Sequence, residues 1–139
     1  MDISGIPLFA MLRQRLGYLG ERQRVIAQNV ANTDTPGYAP RDLKAFSFTE
    51  VMAQRQAASG VAKPEVLPGH VALKPMNNSG GAWKAMRAPD SETTLDGNQV
   101  VLEDQMLKMN ESRMNYDAAI GFYQKSLSML RLAARRPGG

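Results

Sequence analysis

The sequence predicts a mainly α protein, with long N- and C-terminal helices forming an antiparallel coiled-coil hairpin around a loop-rich, partly extended or short-β middle segment. Three observations carry this. Apolar side chains recur in alternating steps of three and four near both ends, proline and glycine crowd the stretch between, and helix-breaking signals stand at the junctions. The chain divides into residues 1–32 (N-terminal helix), 33–97 (loop-rich middle) and 98–139 (C-terminal helix), which together make one structural unit.

The first helix is expected from about Ile6 to Asn32, with Pro7 suited to a first turn where its missing N–H costs nothing. Phe9, Leu12, Leu16, Leu19, Gln23, Ile26 and Val30 form a coiled-coil seam with one polar interruption, Gln23. Arg13, Arg15, Arg22 and Arg24 fall mostly off that seam. At ~1.5 Å per residue the helix is roughly 40 Å long and cannot bury its stripe alone.

Its end is the most particular part of the chain. Asn29 and Asn32 lie three apart on one helical face, where their amides can meet orphan carbonyls or a neighbouring chain. Thr35 before Pro36 is biased toward extended backbone, and Pro36-Gly37 suits a turn with positive φ at the glycine, leading into Tyr38.

In the middle, Arg41 to Met52 has the character of a short helix or an extended arm around Phe46 and Phe48. Beyond Gly60, the pairs Val66-Leu67 and Val71-Ala72-Leu73 are candidates for brief strands. This region is expected to be flexible in the free protein and to order, at least in part, on assembly.

The second long helix is expected from about Asn98 to Arg136, with Asp96 or Asn98 as N-cap and Asp96 with Gln99 as a capping box. Its seam reads Met106, Met109, Arg113, Tyr116, Ile120, Tyr123, Leu127, Leu130 and Ala134. Glu103 and Asp104 near the start, and Arg131, Arg135 and Arg136 near the end, complement the helix dipole. In the hairpin, Phe9, Leu12, Leu16, Leu19, Ile26 and Val30 are expected against Met109, Tyr116, Ile120, Tyr123, Leu127 and Leu130. Arg22 and Arg24 would lie toward Glu103 and Asp104.

Composition narrows the function. At 139 residues, 43% of them hydrophobic, one domain at most is expected. No apolar run reaches the ~20 residues that span a bilayer, and Met1 to Phe9 lacks the basic and apolar regions of a cleaved signal. The absence of cysteine excludes disulfides and thiolate metal sites. His70 is the sole histidine and has no carboxylate cluster around it; Glu103, Asp104 and Glu111 sit where dipole and solvation roles explain them. No phosphate loop or nucleophile elbow appears. No catalytic, cofactor or metal site is therefore expected. Nine methionines, several on the second seam, read as adaptable packing, and Trp83 as a contact anchor or loop cover.

The run Arg22 to Asn32, then Thr35-Pro36-Gly37-Tyr38 and Arg41-Asp42, resembles the first signature block of bacterial flagellar axial proteins, the rod and hook family. Leu95-Asp96-Gly97-Asn98-Gln99-Val100, with Met109-Asn110 and Tyr116, is similar to the second block of their proximal rod members. Order, spacing and total length fit outside Gly60 to Arg87. Two departures are Ala45-Phe46-Ser47-Phe48, where one aromatic is usual, and Gln105, where the family often has an acid. The resemblance implies a non-catalytic subunit of the basal-body rod. Such a subunit is exported without a cleavable signal through the flagellar type III apparatus and polymerises by its terminal helices across the periplasm, neither binding nucleic acid nor inserting in the membrane. It implies as partners the chain itself, other rod proteins, and the ring or export-gate adaptor at the rod base. It also implies that Phe48 and Met52, four apart, form an export-gate motif, the bland reading being a buried pair in an amphipathic turn.

Two other readings compete. A basic helical nucleic-acid binder fits the net charge of +4, but aromatics are scarce near the arginines and no recognition motif is present. A coiled-coil adaptor or chaperone fits the seams and leaves both signature blocks unexplained.

Overall fold

The computed structural model describes residues 6–59 and 83–135, the side chains of 54–59 excepted. Helix α1 (Pro7–Ala31), strand β1 (Arg41–Leu43), helix α2 (Phe48–Ser59), strand β2 (Ala85–Arg87) and helix α3 (Leu102–Ala134) follow along the chain. Val66-Leu67, Val71-Ala72-Leu73 and His70 lie outside the described residues.

Helix α1 begins as its sequence requires, with Ile6 as the extended N-cap and proline in the first turn. It packs against α3. The pairing is antiparallel: Phe9, near the start of α1, meets Tyr123 edge to face at 5.2 Å, and Asn29, near its end, meets Gln105 at 2.9 Å. Helix α3 has 33 residues against 25 in α1, so its C-terminal turns run past its partner.

The inward column of α3 differs from the expected one. Gln105, Ser112 and Ala119 are buried, while Met106 and Arg113, one residue along in each case, face outward. One residue turns a helix by about 100°, and small side chains at 112 and 119 let α1 approach closely where the larger Met106 and Arg113 would hold it off. Met109, Tyr116, Ile120, Tyr123, Leu127 and Leu130 are half-buried. On α1, Phe9, Leu19 and Ile26 are buried, Leu12 and Leu16 half-buried, and Val30 exposed because Asn29 takes the inward position beside it.

Residues 41–59 divide into a strand and a helix. Strands β1 and β2 pair antiparallel, with Asp42 opposite Met86 and Leu43 opposite Ala85, and this ribbon lies on α1. Tyr18, Leu19, Val25 and Leu43 form the core there, closed by Phe46, Trp83, Ala85 and Tyr116. The Trp83 ring lies over Gly17, where a Cβ would stand 2.8 Å from it.

Arg22 does not reach Glu103 or Asp104. It holds Asp42 with two parallel bonds of 3.0 and 3.2 Å and has Glu111 at 3.8 Å, because the antiparallel register sets it opposite the second turn-pair of α3 rather than its start. Arg24 turns back on Glu21 of its own helix.

Candidate functional site at the interlocked turns

The two sequence blocks around 29–38 and 95–99 fold into one structure. Thr35-Pro36-Gly37-Tyr38 closes as a turn, with the Tyr38 N–H on the Thr35 carbonyl and Gly37 at φ +71°. That combination, proline second and a positive-φ glycine third, is the type II pattern. Thr94-Leu95-Asp96-Gly97 closes likewise, the Gly97 N–H on the Thr94 carbonyl and Gly97 at φ +81°.

The turns lock into each other. The Gly37 N–H donates to the Asp96 carbonyl, and the Gln99 N–H donates to the Tyr38 carbonyl. The buried Asn98 amide donates to the carbonyls of Asn32 at 2.9 Å and Thr35 at 2.6 Å, while its oxygen accepts the Val100 N–H. Both carbonyls lie just past the helix. Of the carbonyls that the helix end leaves orphaned, Gln28 takes the Asn32 amide, Asn29 the Asn32 N–H, and Val30 both the N–H and the hydroxyl of Thr33.

Asn29 sits beneath the turns, 1% exposed, with every hydrogen-bonding position filled. Its oxygen accepts from the Arg41 N–H at 2.9 Å and the Tyr38 hydroxyl at 3.2 Å; its nitrogen donates to the Arg41 carbonyl at 2.7 Å and to Gln105 Oε1. The reciprocal pair with Arg41 imitates a strand, so the side-chain amide closes the free edge of β1.

From Gln105 the network continues to Asp90, whose Oδ2 accepts from Gln105 Nε2 at 2.7 Å and from the Val101 N–H at 2.9 Å, and whose Oδ1 takes Lys108 at 2.8 Å. Burial alone would raise the Asp90 carboxyl, but the bonds from Lys108, Gln105 and the Val101 N–H outweigh it and hold the group below its ordinary value. Gln105 can donate to Asp90, whereas an acid at this position would face it with like charge.

Asp96 and Asn98 are thus not the N-cap of α3, and the capping box is not formed. Helix α3 starts at Leu102 with Val101 as N-cap and no side-chain cap bond. Asp96 Oδ1 is engaged by the Asn98 N–H and the Thr94 hydroxyl, and Gln99 Oε1 accepts from Arg87. Asp90, distant in sequence, covers the helix start instead. Asp90 escaped sequence reasoning because nothing in spacing links it to α3; Gln105 was visible only as a departure from an acid.

The expected residues therefore fall into two groups. Asn29, Asn32, Thr35, Pro36, Gly37, Tyr38, Asp96, Gly97 and Asn98 come together here, whereas Phe48 and Met52 stand apart at the start of α2, both exposed. The buried-pair reading of Phe48 and Met52 does not hold in the described chain. Among the described residues no three His, Asp or Glu side chains gather to hold a metal, and no helix is long and apolar enough to cross a membrane. What the arrangement does is mechanical: it ties the end of α1 to the start of α3.

No protein-family model matches the chain. It is 32% identical over 113 residues to the flagellar basal body rod protein FlgB of Escherichia coli strain K12, 78% of each chain being covered. It is 29% identical over 110 residues to FlgB of Salmonella typhimurium, again with 78% of each covered. To FlgB of Aeromonas hydrophila it is 25% identical over 135 residues, 97% of this chain and 98% of the relative.

Proposed function

The chain belongs to the FlgB family of flagellar basal body rod proteins, which makes it a structural rod subunit and not an enzyme, and from that premise we propose how it assembles. Its terminal helices polymerise with copies of itself and with other rod proteins into the helical tube that encloses the export channel and transmits torque. The observation that carries this is the outer face of α3. Leu107, Met114, Met129 and Leu132 are all exposed on a helix whose other face is already used by α1. A two-helix pair leaves such apolar surface for further chains, and the tied turns make the pair a unit stiff enough to bear load. Export through the type III apparatus is part of the same reading, with exposed Phe48 and Met52 offering a short motif to the export gate and the ring or gate adaptor at the rod base as a further partner.

The test is complementation of a strain lacking FlgB. Met114→Asp and Leu132→Asp, on the outer face, should leave helix content unchanged and abolish motility. Leu19→Asp and Ile120→Asp should abolish assembly by breaking the hairpin. Motile cells from both outer-face variants would refute the role of that face, and intact basal bodies without this chain would refute the rod assignment itself.

A further inference from the structure

Leu95 stands at the tip of the second locked turn with its side chain wholly in water, at 111% of its reference exposure. Nothing in the turn requires a leucine: the backbone is closed by Thr94 and Gly97, and the polar work is done by Asp96 and Asn98. Asp34 and Asp96 line the open hollow beside Leu95. The tip is an apolar knob with acidic flanks.

A cavity of about 320 Å³ opens at the other end of the hairpin, between α1, α3 and the chain entering α2. Its walls include Leu8, Leu12, Phe46, Phe48 and Phe122, and one cation, Arg15. Arg15 is exposed and has no ion-pair partner among the described residues. The chemistry is the converse of the knob: an apolar socket with a positive wall.

Knob and socket cannot meet within one molecule. They are separated by most of α1, about 20 residues and therefore roughly 30 Å. We propose that Leu95 of one copy seats in the Leu8–Phe48–Phe122 cavity of a second copy, with Asp34 facing Arg15. Unlike surfaces joined this way make a head-to-tail contact, which repeats from copy to copy into a ring or an open helix as its rotation dictates, rather than closing as a two-fold dimer. The inference rests on the rod reading above and names its copy-to-copy contact.

The absence of cysteine allows a direct test. Leu95→Cys with Ala118→Cys, which lines the same cavity, is introduced in cells carrying no other FlgB. The cysteines are too far apart for a bond within one chain, since a disulfide needs Cα atoms within about 7 Å. Mild oxidation should give a ladder of multimers from basal bodies, several-fold above either single variant. A second readout is charge reversal: Asp34→Arg and Arg15→Glu should each lower motility several-fold, and together restore it. Neither ladder nor rescue in cells with assembled rods would overturn the docking and leave the rod reading intact. Absence of the chain from purified basal bodies would sink the rod reading instead; the ladder in concentrated purified protein would then decide the docking by itself.

Discussion

Gly97 rests on Gly37: a Cβ added to Gly97 would lie 3.5 Å from the Gly37 Cα. Sixty residues apart in sequence, both glycines hold positive φ, at +81° and +71°. Either glycine replaced by alanine must bear left-handed strain of about 1–2 kcal/mol. Gly37→Asn should cost less than Gly37→Val, since asparagine tolerates that region and a β-branched residue does not. Thermal melts followed by circular dichroism should rank Gly37→Asn above Gly37→Val; equal Tm values would refute the strain argument.

Asn29→Leu preserves volume and removes all four bonds of the amide. It leaves the Arg41 backbone and Gln105 without partners in a buried place, a loss of ~2–3 kcal/mol or more. Asn29→Asp should be no better, because the carboxylate cannot donate to Arg41 or Gln105. Denaturant midpoints would check both, and an Asn29→Asp protein of unchanged stability would refute the account.

Asp90 ties stability to acid. Its carboxyl is held below its ordinary value of 3.8, so its contribution is present above that value and lost as pH falls through the lower folded one. Asp90→Asn lacks this component and also turns a donor NH2 toward donors, either Lys108 or the Val101 N–H and Gln105. The variant should be less stable at neutral pH, and its deficit should shrink once pH falls below about 3.8. Denaturation midpoints across that range would show the two curves converging; parallel curves would exclude Asp90 as the group responsible.

Gly20 and Gly17 are one helical turn apart and should respond oppositely. Nothing lies within 4 Å of a Cβ at Gly20, so Gly20→Ala should gain about 0.5–1 kcal/mol of helix propensity. At Gly17 the same change meets the Trp83 ring at 2.8 Å. Trp83 is the only tryptophan, so a red-shifted emission in Gly17→Ala, absent in Gly20→Ala, would report the ring's displacement.

These residues also mark what the sequence made legible. Helix α1 and the first turn could be read because an apolar rhythm ends there and Pro36-Gly37 admits few conformations. The start of α3 could not, because Asp96 and Asn98 have the chemistry of caps and spend it on a turn. On α3, Met106 and Arg113 of the expected seam face outward, since periodicity weighs apolar character, whereas the small Ser112 and Ala119 take the inward places. Asp90 and Arg22 find their partners only through the fold, which brings Lys108 and Asp42 to them. Alternation of hydrophobicity carries no information about such pairs.

The Asn98 amide bonds to the Asn32 carbonyl across 66 residues, and Asn29 reaches Gln105 across 76. Both bonds need a loop of that size to close before they return any energy, an entropic cost that grows with the logarithm of its length. Non-local closure slows folding far more than it weakens the final state. A chain built this way has a long interval, after synthesis of its first helix, in which neither half can complete the other. The lock that stiffens the finished subunit is therefore also its timer.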